Sequence, residues 1–226
     1  MKAVAIILAA GEARWMAHPK ALIEHEGGKS FLQSLASTFG KAGCTVLGVT
    51  GKDAEAVREQ HPSMALVHSE HWKDGFLASI KAGLAAALEE GADVVLVHPV
   101  DMPAVRASTL KSLLKVRGET EDGLRPEFEG APGYPLVFSR AAAEQLVAST
   151  AAQLEGALAE VKLRRVPVKD PGVVVNINTP DTYERLFGTP PKLAPPPKRR
   201  VKRSSSSGMP SLPPSADMEM SASPEE

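Results

Sequence analysis

Cysteine is almost missing from this chain: Cys44 is the only one among 226 residues. A lone thiol excludes an intrachain disulfide and a cysteine-built metal cluster. Its setting, AGCTVLGV, reads as the approach to a buried strand, where it packs. Long apolar runs are lacking too, since no stretch approaches the roughly 20 residues that span a bilayer. The opening MKAVAIILAAG has one lysine and a short apolar run. That run is about a strand long and ends in a glycine turn with Glu12 and Arg14 close behind. A buried β-strand accounts for it better than a targeting segment, and cytoplasmic residence is the default expectation. Nor is either sign of charge in excess: 26 Lys and Arg against 27 Asp and Glu leave a formal net charge of -1. A fold-wide basic surface for nucleic acid is thereby excluded. No internal repeat is apparent.

What is present is enough apolar residue, 43% of the chain, for one substantial core,. Apolar runs alternate with helical patterns. Val4 to Ala10 is a near-continuous apolar strand, as expected when both sheet faces are covered,. A helix with Phe31, Leu32, Leu35 and Phe39 on one stripe follows, flanked by Gly40 and Gly43,. Then come a strand at Thr45 to Gly51, a short helix from Asp53 to Glu59 and a weaker strand at Met64 to His68. A helix from Gly75 to Gly91 carries Phe76, Ile80, Leu84 and Leu88 near one face. The strand Val94 to Val97 follows it, then a helix at Ser108 to Val116 and a strand at Tyr134 to Phe138. A helix from Arg140, strands at Leu163 to Val168 and Gly172 to Ile177, and a helix at Pro180 to Phe187 complete the pattern. This βαβα rhythm predicts an α/β fold: a three-layer α/β/α sandwich with a mostly parallel, Rossmann-like sheet.

From Thr189 the composition changes to Pro and Ser without apolar periodicity. Such a segment cannot bury enough surface to offset the entropy of ordering itself. We therefore expect a folded domain at residues 1–188 and a disordered tail at 189–226. The run KRRVKR, Lys198 to Arg203, is a solvated charged cluster or a contact for phosphates or an acidic partner.

In parallel sheets ligands gather beyond the carboxyl ends of the strands. Three polar segments fall there: the loop after Gly11, His98 to Pro103, and Asn176 to Thr179. In the first loop, LAAGEARWMAHPK, the small Ala9, Ala10 and Gly11 let backbone amides approach an anion closely,. A tight strand-exit turn would need the same residues. Arg14 and Lys20 supply positive charge for a polyphosphate,. The loop lacks GxGxxG and lacks GxxxxGK followed by Ser or Thr, so it is neither a dinucleotide fingerprint nor a Walker loop. In HPVDMP, Asp101 stands where it can hold Mg²⁺ or cap the next segment,. His98 reads as a hydrogen-bonded loop residue.

The first loop resembles the signature LAAGxSxRMGxxK of the molybdenum-cofactor nucleotidyltransferase-like family (MobA/MocA-like). Leu8, Ala9, Ala10, Gly11, Met16 and Lys20 fall on it in register, whereas Trp15 replaces the arginine and Ala17 the second glycine. Arg14, one residue early, is the candidate replacement; Trp15 stacks on a base or covers apolar surface. The Asp101–Met102–Pro103 run reproduces the family's D-x-P, and Gly75 to Leu84 resembles its G-x-x-x-S-x-x-x-G region. There Ser79 stands near the base or the phosphate loop, or bonds its own helix backbone. Gly130 to Phe138 resembles GxxGHPVLF, with Tyr134 in place of histidine. The closing stretch resembles DxDTPxDY, with Asn176 and Asn178 in place of both acids. Asn178 or Thr179 is also a candidate helix cap.

The resemblance spans about residues 4 to 187. It implies a nucleotide-diphospho-sugar transferase fold, and a metal-dependent transfer of a nucleotidyl group from a nucleoside triphosphate to a phosphorylated small molecule. It implies triphosphate contacts at Leu8, Ala9, Ala10, Gly11, Lys20 and Ser79, and an acceptor wall at Gly133 and Tyr134. Mg²⁺ would sit on Asp101 and Asn178, and Lys20, Asp101 and Arg14 would carry the chemistry. The AAG form of the loop is nearer to cytidylyl transfer from CTP onto molybdopterin than to guanylyl transfer. A cofactor-accepting enzyme is the implied partner, with no membrane, and with nucleic acid touched only through the basic tail. The departures leave a second expectation open: a nucleotide-binding regulatory or assembly protein of the same fold with impaired catalysis.

Overall fold

The computed structural model describes residues 1–117 and 122–196. The first strand, β1 (Ala3–Ala9), is buried on both faces and lies at the middle of the sheet. Its alternation divides the core. Ala5 and Ile7 join Phe31, Leu35, Leu96 and Leu110 on one side, while Val4, Ile6 and Leu8 join Ile80, Leu84, Val97 and Phe138 on the other. Helix α1 (Phe31–Lys41) starts at Ser30, whose hydroxyl accepts from the Gln33 amide at 3.1 Å and so satisfies one free helix donor,. Strand β2 (Thr45–Thr50), α2 (Ala54–Gln60), β3 (Leu66–His68), α3 (Phe76–Glu89) and β4 (Val94–Pro99) follow. Helix α4 (Ala107–Val116) comes next, then β5 (Gly123–Phe128), β6 (Ala131–Pro132) and β7 (Leu136–Ser139). Helices α5 (Arg140–Ala148) and α6 (Leu154–Ala159), strand β8 (Leu163–Pro167) and helix α7 (Pro180–Phe187) complete the elements among the described residues.

The sheet runs β3-β2-β1-β4-β7-β5-β6, with β8 paired to β5. Strands β3, β2, β1 and β4 are parallel neighbours, which sets their carboxyl ends along one edge. Strand β7 returns antiparallel to β4 and β5, and β8 runs parallel to β5. The predicted three-layer α/β sandwich is the fold observed. Among the described residues no helix is long and apolar enough to cross a membrane.

Four local readings differ from the structure. The stretch 172–177 is not a strand: a 3₁₀ turn at Pro171–Val173 leads into irregular backbone. Its polar groups are spent on loops, with the Val173 carbonyl accepting from Tyr134 at 2.8 Å and Ile177 donating to the Asp101 carbonyl at 2.8 Å. On α3 the buried stripe is Leu77, Ile80, Leu84 and Ala87, and Phe76 is 42% exposed. Strand β5 and helix α6 were not anticipated, because neither carries a plain apolar run. The chain beyond Gly188 also continues against the domain. Leu193 bridges Ile23, Ala194 is buried, and Lys192 pairs with Glu24 at 3.1 Å. The Lys198 to Arg203 cluster lies outside the described residues.

His98 sits fully buried near the end of β4 and donates through Nε2 to the Met102 carbonyl at 2.8 Å. Burial, chiefly, pushes its pKa down to about 4, so the ring is neutral,. It holds the loop that follows it. Burial also lowers His25 and His61 below the usual imidazole value. Each folded-state value lies beneath that of the unfolded chain. Their contribution is therefore whole above about pH 6.5 and is lost as the unfolded chain gains protons that the native rings refuse. For His98 the loss levels off near pH 4, with a ceiling on the order of 3 kcal/mol,. Urea titrations at pH 7.5 and 5 should show that fall, and His98→Gln, which keeps an N–H donor, should flatten it. An unaltered slope in that variant would refute the assignment.

Candidate functional site

The carboxyl edge of β1, β2, β3 and β4 opens into a cleft of about 660 Å³. Leu8, Ala9, Ala10 and Gly11 form its floor where β1 ends. A Cβ built on Gly11 would meet no atom within 4 Å, so the space beside this backbone is free for a ligand. Arg14 and Lys20 from the same loop line the cleft, as do Ser79 on α3, Asp101 after β4, and Tyr134 and Asn176.

One contact decides how these segments meet. The Lys20 ammonium donates to Asp101 Oδ2 at 2.7 Å and also to the Asn178 side-chain oxygen. The loop after β1, the loop after β4 and the segment before α7 therefore converge on a single nitrogen. Two of the three are strand ends; the third is irregular backbone. Asn178 is free for this role because Thr179 caps α7, its hydroxyl accepting from Thr182 at 3.2 Å. Asp101 caps no helix. Its second oxygen, Oδ1, is buried without a partner, and a buried unpaired carboxylate oxygen is costly unless something comes to it. That orphan beside an amide oxygen fits a hard divalent cation, which takes carboxylate and carbonyl oxygens and fills its remaining positions with phosphate oxygens or water. No group of three or more His, Cys, Asp and Glu gathers anywhere among the described residues. The cation would thus depend on few protein charges.

The other candidates divide. Arg14 borders the cleft and bonds Glu12 through Nε at 3.1 Å; that hydrogen bond, with Lys52 beyond it, holds Glu12 below the usual carboxylate range. Ser79 is buried at the wall. Tyr134 lines it under Arg125, whose guanidinium lies 5.7 Å from the ring centroid, and burial raises the phenol's pKa. Gly133 does not line the cleft: a Cβ there would lie 2.3 Å from the Val173 carbonyl oxygen, so its role is close packing. Trp15, standing at the family arginine position, is 76% exposed and outside the lining. Sequence reasoning missed Trp72, Lys73 and Asp53, which also border the cleft. Their signal was positional, since the loops after β2 and β3 open on the same edge as the loop after β1.

Comparison with known proteins gives the family. The profile described as MobA-like NTP transferase domain matches residues 5–168. The chain belongs to this family. It is 24% identical over 182 residues to the molybdenum cofactor cytidylyltransferase of Escherichia coli (strain K12), covering 79% of this chain and 92% of that protein. It is 27% identical over 186 residues to a probable molybdenum cofactor guanylyltransferase of Mycobacterium ulcerans (strain Agy99), covering 77% and 88%. Among solved structures, Rv0371c from Mycobacterium tuberculosis H37Rv superposes with a TM-score of 0.70 at 23% identity, over 83% of this chain and 98% of that one. Its complex with manganese gives 0.67 at 22%, over 84% and 100%. These superpositions show the nucleotide-diphospho-sugar transferase fold. The MobA-like protein is a nucleotidyltransferase, of the kind whose relatives are named for cytidylyl and guanylyl transfer in molybdenum cofactor formation.

Proposed function

We propose that this nucleotidyltransferase moves CMP from CTP to a phosphorylated pterin of the molybdopterin type and releases pyrophosphate. The contact of Lys20 with Asp101 and Asn178 carries the reading. The triphosphate lies along Ala9 to Gly11, where small residues leave the backbone open. Lys20 turns from Asp101 to the phosphates and neutralises their charge, and Arg14 adds a second cation at the cleft rim. Asp101 and Asn178 would hold Mg²⁺, which supplies positive charge that orients the phosphate oxygens and offsets charge developing at the attacked phosphorus. A phosphate oxygen of the acceptor attacks the α-phosphorus in line. The bond to the bridging oxygen breaks, and its electrons leave with pyrophosphate. No side chain forms a covalent bond, so catalysis is placement and electrostatic stabilisation. Tyr134 borders the acceptor end. The AAG loop supports CTP over GTP.

A screen of CTP, GTP, ATP and UTP with Mg²⁺, following melting temperature and pyrophosphate together, tests this. At about 100 times its dissociation constant a ligand stabilises by about 2.7 kcal/mol, or roughly 5–10 °C for a domain of this size. We expect that shift with CTP, and pyrophosphate only when the pterin is added. Binding without release across a broad acceptor panel would favour a regulatory role, and a larger shift with GTP would overturn the base assignment. Mg²⁺ alone should shift the melt little, because Lys20 already holds the Asn178 oxygen and neutralises the Asp101 carboxylate through its other oxygen.

Trp72 offers the cleft a half-buried aromatic face, with Lys73 5.5 Å from its ring centroid. Stacking of a base on an aromatic ring contributes about 1–3 kcal/mol. Trp72→Ala should accordingly raise the KM for the triphosphate by roughly 10-fold or more at similar kcat. An unchanged KM would place the base elsewhere.

A further inference from the structure

Lys20 is carried by a short 3₁₀ turn, Lys20–Leu22, and no regular element fixes it from the amino-terminal side. Ala21, Leu22 and Ile23 pack in the core, the Ile23 carbonyl accepts from the Phe31 amide at 2.8 Å, and the open edge of the segment is held by residues 192–194. The Glu24 amide donates to the Lys192 carbonyl at 2.8 Å, and the Ala194 amide donates to the Leu22 carbonyl at 2.8 Å. Ile23 and Leu193 form an antiparallel bridge between those two bonds. Lys192 pairs with the Glu24 carboxylate at 3.1 Å, and Gln60 on α2 donates to the Ala194 carbonyl at 2.9 Å. Tyr183 on α7 closes the other flank, its hydroxyl donating to the Glu24 carbonyl at 2.7 Å. Ile23 and Ala194 are buried at the contact.

We infer that residues 192–194 are a strap that positions Lys20 in the cleft. The inference rests on the proposed role of Lys20, but its geometry does not. Two backbone bonds, one on each side of Ile23, fix both position and direction of the segment 22–24. The lysine two residues before Leu22 inherits that placement. Without the strap, the segment would keep the Phe31 amide on the Ile23 carbonyl at 2.8 Å, the Tyr183 hydroxyl on Glu24 and the core packing of Ala21, Leu22 and Ile23, but would lose the two bonds that set its direction on the other edge. The segment 189–196 is thus part of the site's support, although its Pro-rich composition reads as a tail.

The test uses the full chain. Ala194→Pro deletes the amide donor, and the residue already precedes Pro195, which favours the extended backbone that proline accepts,. Ala194→Gly keeps the donor. Gln60→Leu loosens the strap from outside and serves if the proline variant does not fold. Brief acetic anhydride labelling, read by mass spectrometry, gives the reactivity of Lys20 relative to the exposed Lys29 and Lys52. We expect that ratio to rise about five-fold in Ala194→Pro, less in Gln60→Leu, and not at all in Ala194→Gly. Mg²⁺·CTP affinity should fall about 10-fold in the proline variant with little further change in kcat. An unchanged Lys20 ratio in folded Ala194→Pro and Gln60→Leu overturns the strap. A changed ratio in a protein that binds no triphosphate at all, wild type included, upholds the strap and defeats the nucleotidyl reading of the cleft.

Discussion

Asp101→Ala should abolish pyrophosphate release from a productive triphosphate and acceptor pair while leaving the protein folded. The carboxylate contributes at two oxygens. Oδ2 holds the Lys20 ammonium at 2.7 Å, and Oδ1 is buried without a partner. Under the proposed chemistry Oδ1 meets the cation, and Asn176 and Asn178 bring no charge to help it. Removing the one carboxylate of the set therefore costs the cation its only full protein charge. Loss of a single neutral oxyanion donor costs about 10²–10³ in kcat, so loss of a charged ligand should cost about 10³ or more. Its removal also deletes the buried unsatisfied oxygen. Little stability should be lost, and a melting temperature within a few degrees of wild type would separate chemistry from unfolding. Steady-state pyrophosphate assays with Mg²⁺ and with Mn²⁺ decide the matter. Unchanged turnover removes the metal assignment.

The parts of this molecule that could be read beforehand are those where burial writes itself into residue type. Val4 to Ala10 must be apolar on both faces because helices cover both, and the run shows it. Phe31, Leu32, Leu35 and Phe39 mark one helix face for the same reason. Asp101 was legible as a charged residue just beyond a buried strand, and Lys20 as a cation of the first loop that falls on the family signature. Burial, however, does not say what a backbone is bonded to. Val173 and Ile177 are as buried as strand residues, yet their amides and carbonyls serve the loops at Asp101 and Tyr134. Strand β5 fails in the opposite direction: GLRPEF is polar and contains Pro126, but β7 and β8 pair it from both sides. Trp72 and the strap at 192–194 were invisible for a third reason. Each matters through what lies across from it, and residue order carries no record of that.

The same distinction between space and contact sets the largest stability effect we expect. Gly172→Ala places a Cβ 2.3 Å from the Ala104 carbonyl oxygen, 2.5 Å from its carbon and 2.8 Å from the Val105 nitrogen. All three are backbone, so no rotamer relieves the clash and one loop must move. Movement there is expensive. Asp170, almost wholly buried, accepts from the Gly172 amide at 3.0 Å, the Arg106 amide at 2.9 Å and the Thr109 hydroxyl at 2.7 Å. Shifting residue 172 strains the packing and pulls at least one donor from a desolvated carboxylate. Overpacking costs about 1–3 kcal/mol and a lost bond to a buried charged group about 1.5–3 kcal/mol. We expect a combined loss of about 3–5 kcal/mol, or roughly 6–20 °C in melting temperature. Activity should fall with it, since the Ile177 amide ties this segment to the Asp101 carbonyl at 2.8 Å and Asn178 follows directly. Gly11→Ala is the counterpart. Its Cβ meets nothing, so the melt should barely change while triphosphate affinity drops, the methyl group occupying room the ligand needs. Denaturant titration and calorimetric binding on the two variants would separate these outcomes. Equal stability loss in both would contradict the reading of Gly11 as cleft floor, and none in Gly172→Ala would mean that the two loops are not packed as described.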